Sequence, residues 1–476
     1  MSFGYKKYIS RFSLILLIVS SCTLEPKYKK PTSPISQEKI ESLDVNKNHF
    51  SDGMINDIAW QDFFIDKNLQ KIVDLALEKN RDLELATLNI EAARSYYGIT
   101  RSDLMPDIDL QTSYSRSKSA GFFSKPLSVF SSQLALTSFE IDFFGKFRSL
   151  KNSALQDFFA TQQAHNSLQI SLIAEVVNSY LEFILNHQNM MIAQEIAKIN
   201  QDQYEIIKMR YENGIDSKST YLSQKTTLNQ AKINLTNYRK IVSQNKNILQ
   251  NLIGDFDQKI FDSYEEIVEI DQIKIAKDLL KFIPSSKLLD RPDIQQAEFK
   301  LKSANANIGA ARAAFFPSIM LTSSAGYGSN SLGDIYKLKS VWNFTPQINL
   351  PIFSGFANWS NLKLTHVRKK IEIVKYEQAI QNAFKEMSDQ LASRKAIDEQ
   401  LKLMQETLKL QNEVFEISLA KYSLGNESKF NMLNQKIVYL QTKQQYLKTK
   451  KDQLTSLINL YKVLGGGLQN YQKQES

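Results

Sequence analysis

The sequence predicts a mainly α-helical chain with a small β part, built as two copies of one unit. Three observations predict it. The chain matches itself at one shift, it carries four segments of period two, and its helices are longer than a globular domain needs. The self-match comes first. Residues from about 80 to 253 lie over residues from about 291 to 464 at a shift of 211, so that Asp82 falls on Asp293, Gly98 on Gly309 and Arg101 on Arg312. At the same shift Tyr211, Gly214, Ser217 and Lys218 fall on Tyr422, Gly425, Ser428 and Lys429. One offset held over so long a stretch marks an internal duplication, and each half must then be one supersecondary unit.

Four segments alternate with the period of a half-buried strand. In the segment expected at about 106–118, Ile108, Leu110, Thr112 and Tyr114 oppose Asp109, Gln111 and Ser113. The segment at 127–143 alternates through Leu134 and Leu136, then through Phe139 and Ile141, so its phase slips near Thr137. Those at 317–327 and 341–352 alternate through Ile319, Leu321 and Tyr327, and through Trp342, Phe344, Ile348 and Leu350. Each run is close to the nine to eleven residues that a tilted membrane strand requires. One face is apolar, and the other is polar without being charge-rich, which suits lipid on one side and water on the other.

The helices follow. No proline interrupts 146–208, and Ile173, Val177, Tyr180 and Ile184 step by four, three and four. Leu433, Ile437, Leu440, Leu447, Leu454, Ile458 and Tyr461 keep heptad spacing, with Gln444 and Lys451 at the two remaining seam positions. That is a coiled-coil seam, and a helix of about 60 residues would run about 90 Å. Four strands alone cannot close a water-filled barrel, and open sheet edges are forbidden in lipid. Several copies must therefore share one barrel, with their coiled coils continuing it as an α-helical tube.

The expected organisation is a signal over 1–21, a tether over 22–56, a first repeat over 57–253, an inter-repeat segment over 254–290, a second repeat over 291–464 and a tail over 465–476. Lys6, Lys7 and Arg11 precede a short apolar run, Phe12–Val19, as in an export signal. Val19-Ser20-Ser21-Cys22 resembles a bacterial lipobox, which makes Cys22 the expected site of acylation. It is the one cysteine in the chain, which excludes an internal disulfide and a multi-cysteine metal site. The formal charge of +9 falls to about +6 without the signal's three cations, and it forms no basic stripe, so nucleic acid is not an expected partner.

In order along the chain, Cys22-x-x-x-Pro26-x-Tyr28-x-x-Pro31, Trp60-Gln61-Asp62-Phe63-Phe64, Glu140-Ile141-Asp142-Phe143-Phe144-Gly145 and Leu350-Pro351-Ile352-Phe353-Ser354-Gly355 resemble TolC-type outer-membrane efflux proteins, specifically the lipidated OprM/NodT-like branch. The resemblance covers nearly the whole mature chain. It implies a homotrimer in the outer membrane of a Gram-negative bacterium, with a twelve-stranded barrel and a periplasmic helical tunnel. It also implies docking to a periplasmic adaptor (a membrane fusion protein) and to a proton-driven inner-membrane pump, with no cofactor and with a lipid on Cys22 as an auxiliary anchor.

The resemblance further assigns two sets of site residues. Adaptor docking falls to two tips, one with Arg210, Tyr211, Gly214, Ile215 and Ser217, the other with Lys421, Tyr422, Gly425, Asn426 and Ser428. The periplasmic aperture falls to Thr220, Ser223, Tyr422, Asn431 and Asn434. Relatives often carry aspartates at the aperture, so asparagines here imply a neutral ring. Glu427 stands where some relatives have a basic partner for the tyrosine.

Enzymatic readings find no footing. His49, His165, His187 and His366 are dispersed, and Gly465-Gly466-Gly467 lacks the Lys-Ser/Thr of a phosphate loop. Asp290-Arg291-Pro292-Asp293 reads as a helix start. The expectation is a passive duct for drug or small-molecule efflux. The alternatives are a duct for type I protein secretion and a non-conducting, periplasm-spanning scaffold lipoprotein.

Overall fold

The computed structural model describes residues 23–36, 39, 59–118, 126–256, 269–276, 285–329 and 339–466. The expected signal, Cys22, the later tether, much of the inter-repeat segment and the tail beyond 466 lie outside them. The elements in order are α1 (Trp60–Phe63), α2 (Lys67–Lys79), α3 (Arg81–Ser102), β1 (Ile108–Ser117), β2 (Leu127–Ile141), α4 (Lys146–Glu212), α5 (Lys218–Ile253), α6 (Pro292–Ala313), β3 (Ser318–Ser329), β4 (Lys339–Asn349), α7 (Ala357–Ser423) and α8 (Lys429–Val463). Short 3-10 turns lie at Ile270–Gln272 and Ser285–Asp290. The duplication is kept to the residue: α6 and α7 start and end 211 residues after α3 and α4.

The chain divides into two compact units. The first comprises Met1–Thr32, Leu88–Gln163 and Ile294–Ala379. Its centre is a four-stranded antiparallel sheet in the order β1-β2-β3-β4. Directly opposed residues share a face, so the register sorts the side chains. Ile108 pairs with Leu136, Leu110 with Leu134 and Tyr114 with Phe130. Leu134 pairs with Ala325, Ala325 with Trp342 and Ile319 with Ile348. Those residues make one apolar face. Gln111, Ser113, Gln133, Ser131, Ser324, Asn343, Thr345 and Gln347 make the other.

The phase slip near Thr137 is a β-bulge. Between the pairs Leu136–Ser323 and Phe139–Leu321, β2 places two residues, Thr137 and Ser138, opposite the single Thr322 of β3, and Ser138 takes φ 53°. A bulge adds one unpaired residue. Here it returns Phe139 and Ile141 to the apolar face, which an unbroken strand would have turned polar. β1, β2 and β4 end slightly short of the expected bounds, while β3 runs on to Ser329 and β4 starts early, at Lys339. β2 stops at Ile141 because Asp142 turns to cap α4, accepting from the backbone N–H of Phe147 at 3.3 Å and of Arg148 at 2.9 Å. β4 stops at Asn349, just ahead of Pro351, which cannot donate to a ladder.

The second unit comprises Ser33–Thr87, Ala164–Asp293 and Ile380–Ser476. α4 packs along α8. The heptad leucines Leu433, Leu440, Leu447 and Leu454, with Ile458 and Tyr461, are all buried. The polar seam positions are not defects. Gln444 Nε2 donates to the carbonyl of Asn189 at 3.4 Å, and Lys451 pairs with Glu182 at 3.1 Å. Asn178 and Asn459 add an amide pair at 3.4 Å, and Lys436 pairs with Glu195 at 2.6 Å. Polar seam residues of this kind select one register. α4 has an 18-residue window of mean hydropathy 1.4, apolar enough to cross a bilayer, but 61% of it is buried inside the protein.

Both hairpins close at the base in the same place by different chemistry. Asn80 Nδ2 donates to the carbonyl of Leu252 at 2.8 Å, and its Oδ1 caps α3 through the N–H of Leu83 at 3.0 Å. The duplicate of Asn80 is Arg291, whose Nη1 donates to the carbonyl of Val463 at 3.1 Å, the duplicate of Leu252. Burial opposes the Arg291 charge, but Asp293 at 2.7 Å and Glu386 at 2.9 Å more than offset it and raise its pKa. Phe63 stacks on Tyr461 at 4.6 Å beside this cap.

Hydrogen bonds made by a charged group contribute more than neutral ones. Arg291→Ala, which removes three such partners at once, is therefore expected to destabilise by about 2–3 kcal/mol, and Asn80→Ala by about 1–2 kcal/mol. Thermal melts of the detergent-purified protein, followed at the helical dichroism band, check the order: Arg291→Ala melts lower.

Candidate functional site

The two helical turns at 212–218 and 423–429 both lie in the second unit and are built alike. Asn213 and Leu424 follow the helix ends and precede glycines at φ 73° (Gly214) and φ 75° (Gly425). A left-handed conformation here disfavours any side chain. In the first turn the N–H of Gly214 donates to the carbonyl of Tyr211 at 3.0 Å, and that of Ile215 to Arg210 at 2.8 Å. In the second, Gly425 donates to Tyr422 at 3.0 Å and Asn426 to Lys421 at 2.9 Å. This is the Schellman closure of a helix C-terminus. Each return helix then starts on a serine cap: Ser217 Oγ accepts from the N–H of Thr220 at 3.1 Å, and Ser428 Oγ from that of Asn431 at 3.2 Å.

The backbone match does not extend to the side chains. At the first tip Arg210 forms two hydrogen bonds with Asp216, Nε at 2.7 Å and Nη2 at 3.2 Å, and the pairing raises the Arg210 pKa. At the second tip Lys421 replaces the arginine and Glu427 replaces the aspartate, but Glu427 accepts from Ser418 Oγ at 2.7 Å instead. The first hairpin also holds a tyrosine cluster. Tyr211 stacks on Tyr221 at 5.1 Å, and the Tyr204 and Tyr221 hydroxyls lie 3.0 Å apart. That hydroxyl pair pushes Tyr204 up to about 12. The duplicate positions are Phe415, Tyr422 and Met432, where no such hydroxyl pair can form.

Both tips present one apolar residue to solvent, Ile215 at 66% and Leu424 at 75% exposure. Arg210, Gly214, Ser217, Lys421, Tyr422, Gly425, Asn426 and Ser428 are also exposed, and Tyr211 is half-buried under its stack. The structure thus brings each group of tip residues together around its own turn.

The aperture candidates separate into two kinds. Thr220, Ser223 and Asn431 are exposed on the first turns of α5 and α8. Asn434 is half-buried, and its Oδ1 accepts from Gln203 Nε2 at 2.8 Å. The same Gln203 amide reaches the carbonyl of Phe430 at 3.3 Å. Asn434 thus fastens α8 to α4 within one protomer. Sequence reasoning missed Gln203, Tyr204, Tyr221 and Ser418. Only the repeated acidic residue after each tip glycine, Asp216 and Glu427, carried a signal that partners should be sought. Among the described residues no group of three or more His, Cys, Asp or Glu side chains is placed to hold a metal ion.

Comparison with known proteins follows from this geometry. A model of the family described as "Outer membrane efflux protein" matches residues 72–255 and 283–466, the two repeats at the same shift of 211. The chain is 34% identical over 467 residues to the antibiotic efflux pump outer membrane protein ArpC of Pseudomonas putida, covering 97% of this chain and 96% of that one. It is 32% identical over 462 residues to the cation efflux system protein CusC of Escherichia coli O157:H7, covering 96% and 98%. Among solved structures, the open state of the MtrE outer membrane channel of Neisseria gonorrhoeae superposes with a TM-score of 0.81 at 32% identity, covering 94% of this chain and 99% of that one.

Asn434 and Asn431 are expected to differ on substitution. Asn434→Ala leaves the buried Gln203 amide without its side-chain acceptor and should cost about 1–2 kcal/mol. Asn431→Ala should stay within about 0.5 kcal/mol. Hydrogen exchange over 199–207 checks this: it accelerates in Asn434→Ala and not in Asn431→Ala.

Proposed function

This chain belongs to the outer membrane efflux protein family, and from that premise we propose a trimeric, passive duct that docks its helical tips to a periplasmic adaptor. The protein is an outer-membrane channel of a tripartite efflux system. Three copies, each giving four strands, would close a twelve-stranded barrel. The observation that carries this is the two-faced sheet whose outer strands, β1 and β4, each pair on one side only among the described residues. In lipid every strand edge must be paired. A scaffold that merely spans the periplasm has no use for Trp342, 78% exposed on a face opposite Asn343 and Thr345.

A cluster below β4 supports the membrane reading. Leu350, Ile352, Phe353, Phe356 and Trp359 are all more than half exposed, as suits a belt at the membrane–water interface. Acylation of Cys22 would add a second attachment to the membrane.

The tips serve as docking points for the adaptor. Their exposed Ile215 and Leu424 supply apolar contact, and Arg210 and Lys421 supply charge at the rim. The pump supplies the energy, drawn from the proton gradient. The cargo is a drug or another small molecule. ArpC and CusC bear names that specify antibiotics and cations, and one family that carries both names fits a cargo selected upstream by the pump.

The aperture closes by hydrogen bonds and packing, with Asn431 facing the opening and Asn434 bracing the helices. Single-channel recording in planar bilayers, with the oligomer mass measured in parallel, tests the proposal. A trimer with discrete conductance steps is expected. Asn431→Asp should add block by divalent cations, which the parent channel lacks. A stable monomer that never conducts would overturn the duct.

A further inference from the structure

The segment Thr23–Lys30 is extended and lies on one face of α6, in the first unit. Glu298, Lys302, Asn305, Gly309 and Arg312 recur every three or four residues and therefore share that face. Two of them hold the segment's backbone. Arg312 Nη1 donates to the carbonyl of Leu24 at 3.2 Å, and Asn305 Nδ2 to that of Pro26 at 2.7 Å. Lys369 of α7 donates to Asn305 Oδ1 at 2.8 Å, which orients the amide. The segment's side chains are read as well. Asn152 of α4 donates to both oxygens of the Glu25 carboxylate, at 2.9 and 3.0 Å. Glu298 pairs with Lys30 at 2.8 Å and accepts from the Tyr28 hydroxyl at 3.4 Å. Lys302 lies 5.4 Å from the centre of the Tyr28 ring.

Two glycines make room. A Cβ added to Gly309 would meet Ser149 Oγ of α4 first and would also lie 2.9 Å from the Glu25 backbone, and one added to Gly145 would lie 2.9 Å from Thr23 Cα. The duplicate of this face lies on α3, and there the pattern is changed. Glu298, Lys302 and Asn305 become Thr87, Glu91 and Arg94, while Gly309 and Arg312 persist as Gly98 and Arg101. The duplicate of Gly145 is Phe356. Nothing lies within 4 Å of a Cβ added to Gly98.

We propose that residues 23–30 are an address strap: their side chains select the α6 face over its α3 duplicate, and this recognition, not the acyl group on Cys22, holds the strap across α4, α6 and α7. The selection has both signs. At the α3 duplicate Thr87 stands where Glu298 pairs with Lys30 and Tyr28, Glu91 replaces the Lys302 that lies beside the Tyr28 ring, and Phe356 stands where Gly145 leaves room for Thr23. The proposal stands on the strap's contacts and does not depend on the duct reading.

Limited trypsinolysis of the purified full-length protein tests it, with release of the N-terminal peptide by cleavage after the exposed Lys27 and Lys29 followed by mass spectrometry. Gly309→Leu, which places side chain in the strap's path, should speed release at least tenfold. Glu298→Ala, which adds no bulk, should speed it several-fold. Gly98→Leu should release the strap at the parent rate. A Cys22→Ser chain exported behind an ordinary cleavable signal should keep its strap equally protected. Equal release from the parent, Gly309→Leu and Glu298→Ala would overturn recognition by α6. Release from the Cys22→Ser chain as fast as from Gly309→Leu would show that the lipid does the holding.

Discussion

Backbone hydrogen bonding in lipid is the constraint on which the rest of this structure depends. Within the bilayer no water satisfies an N–H or C=O, so a sheet must close on itself. A four-stranded sheet is too short to do so around a water-filled lumen. The two-faced register, the unpaired sides of β1 and β4 and the long helices that follow β2 and β4 all make sense if closure is supplied by other copies. The bulge at Thr137-Ser138 serves the same end, because it keeps one face of β2 apolar along its full length.

Duplication gives each protomer two of everything, and the copies have then diverged where chemistry matters. The hairpin bases are capped at matched carbonyls by Asn80 and by Arg291. The tips share a backbone closure, but one is clamped by Arg210 with Asp216 while the other ties Glu427 to Ser418. Among the described residues the α6 face carries a strap and its α3 duplicate does not. Geometry that any copy needs, such as the left-handed Gly214 and Gly425, has been kept. Side chains that set rigidity or recognition have changed.

Much of the fold was legible because it rests on periodic patterns. Alternation located all four strands, and its slip located the bulge. Heptad spacing picked out Leu433 through Tyr461, and the pairing of Gln444 and Lys451 with α4 explains why polar residues interrupt the seam. The tip turns were legible from glycine and serine. The rest was not, because it depends on partners far apart in sequence. Gln203 meets Asn434 across two helices, so nothing local to Asn434 showed that it braces the packing. Tyr28 entered only as one position of the Cys22–Pro31 motif and Lys30 only as part of a tether, because their partner Glu298 is some 270 residues away and belongs to no repeating pattern.

Cross-linking of the sheet edges in intact outer membranes tests the shared barrel most directly. Cys22 is the one native cysteine, so introduced pairs report without ambiguity. Ser113→Cys on β1 would be combined in turn with Asn343→Cys, Thr345→Cys or Gln347→Cys on β4, all on the polar face. A shared barrel predicts that at least one pair oxidises to covalent dimers and trimers, while each single variant stays monomeric on a denaturing gel. If every pair yields only monomer, or only a disulfide within one chain, the strands do not close between copies and the shared barrel is wrong.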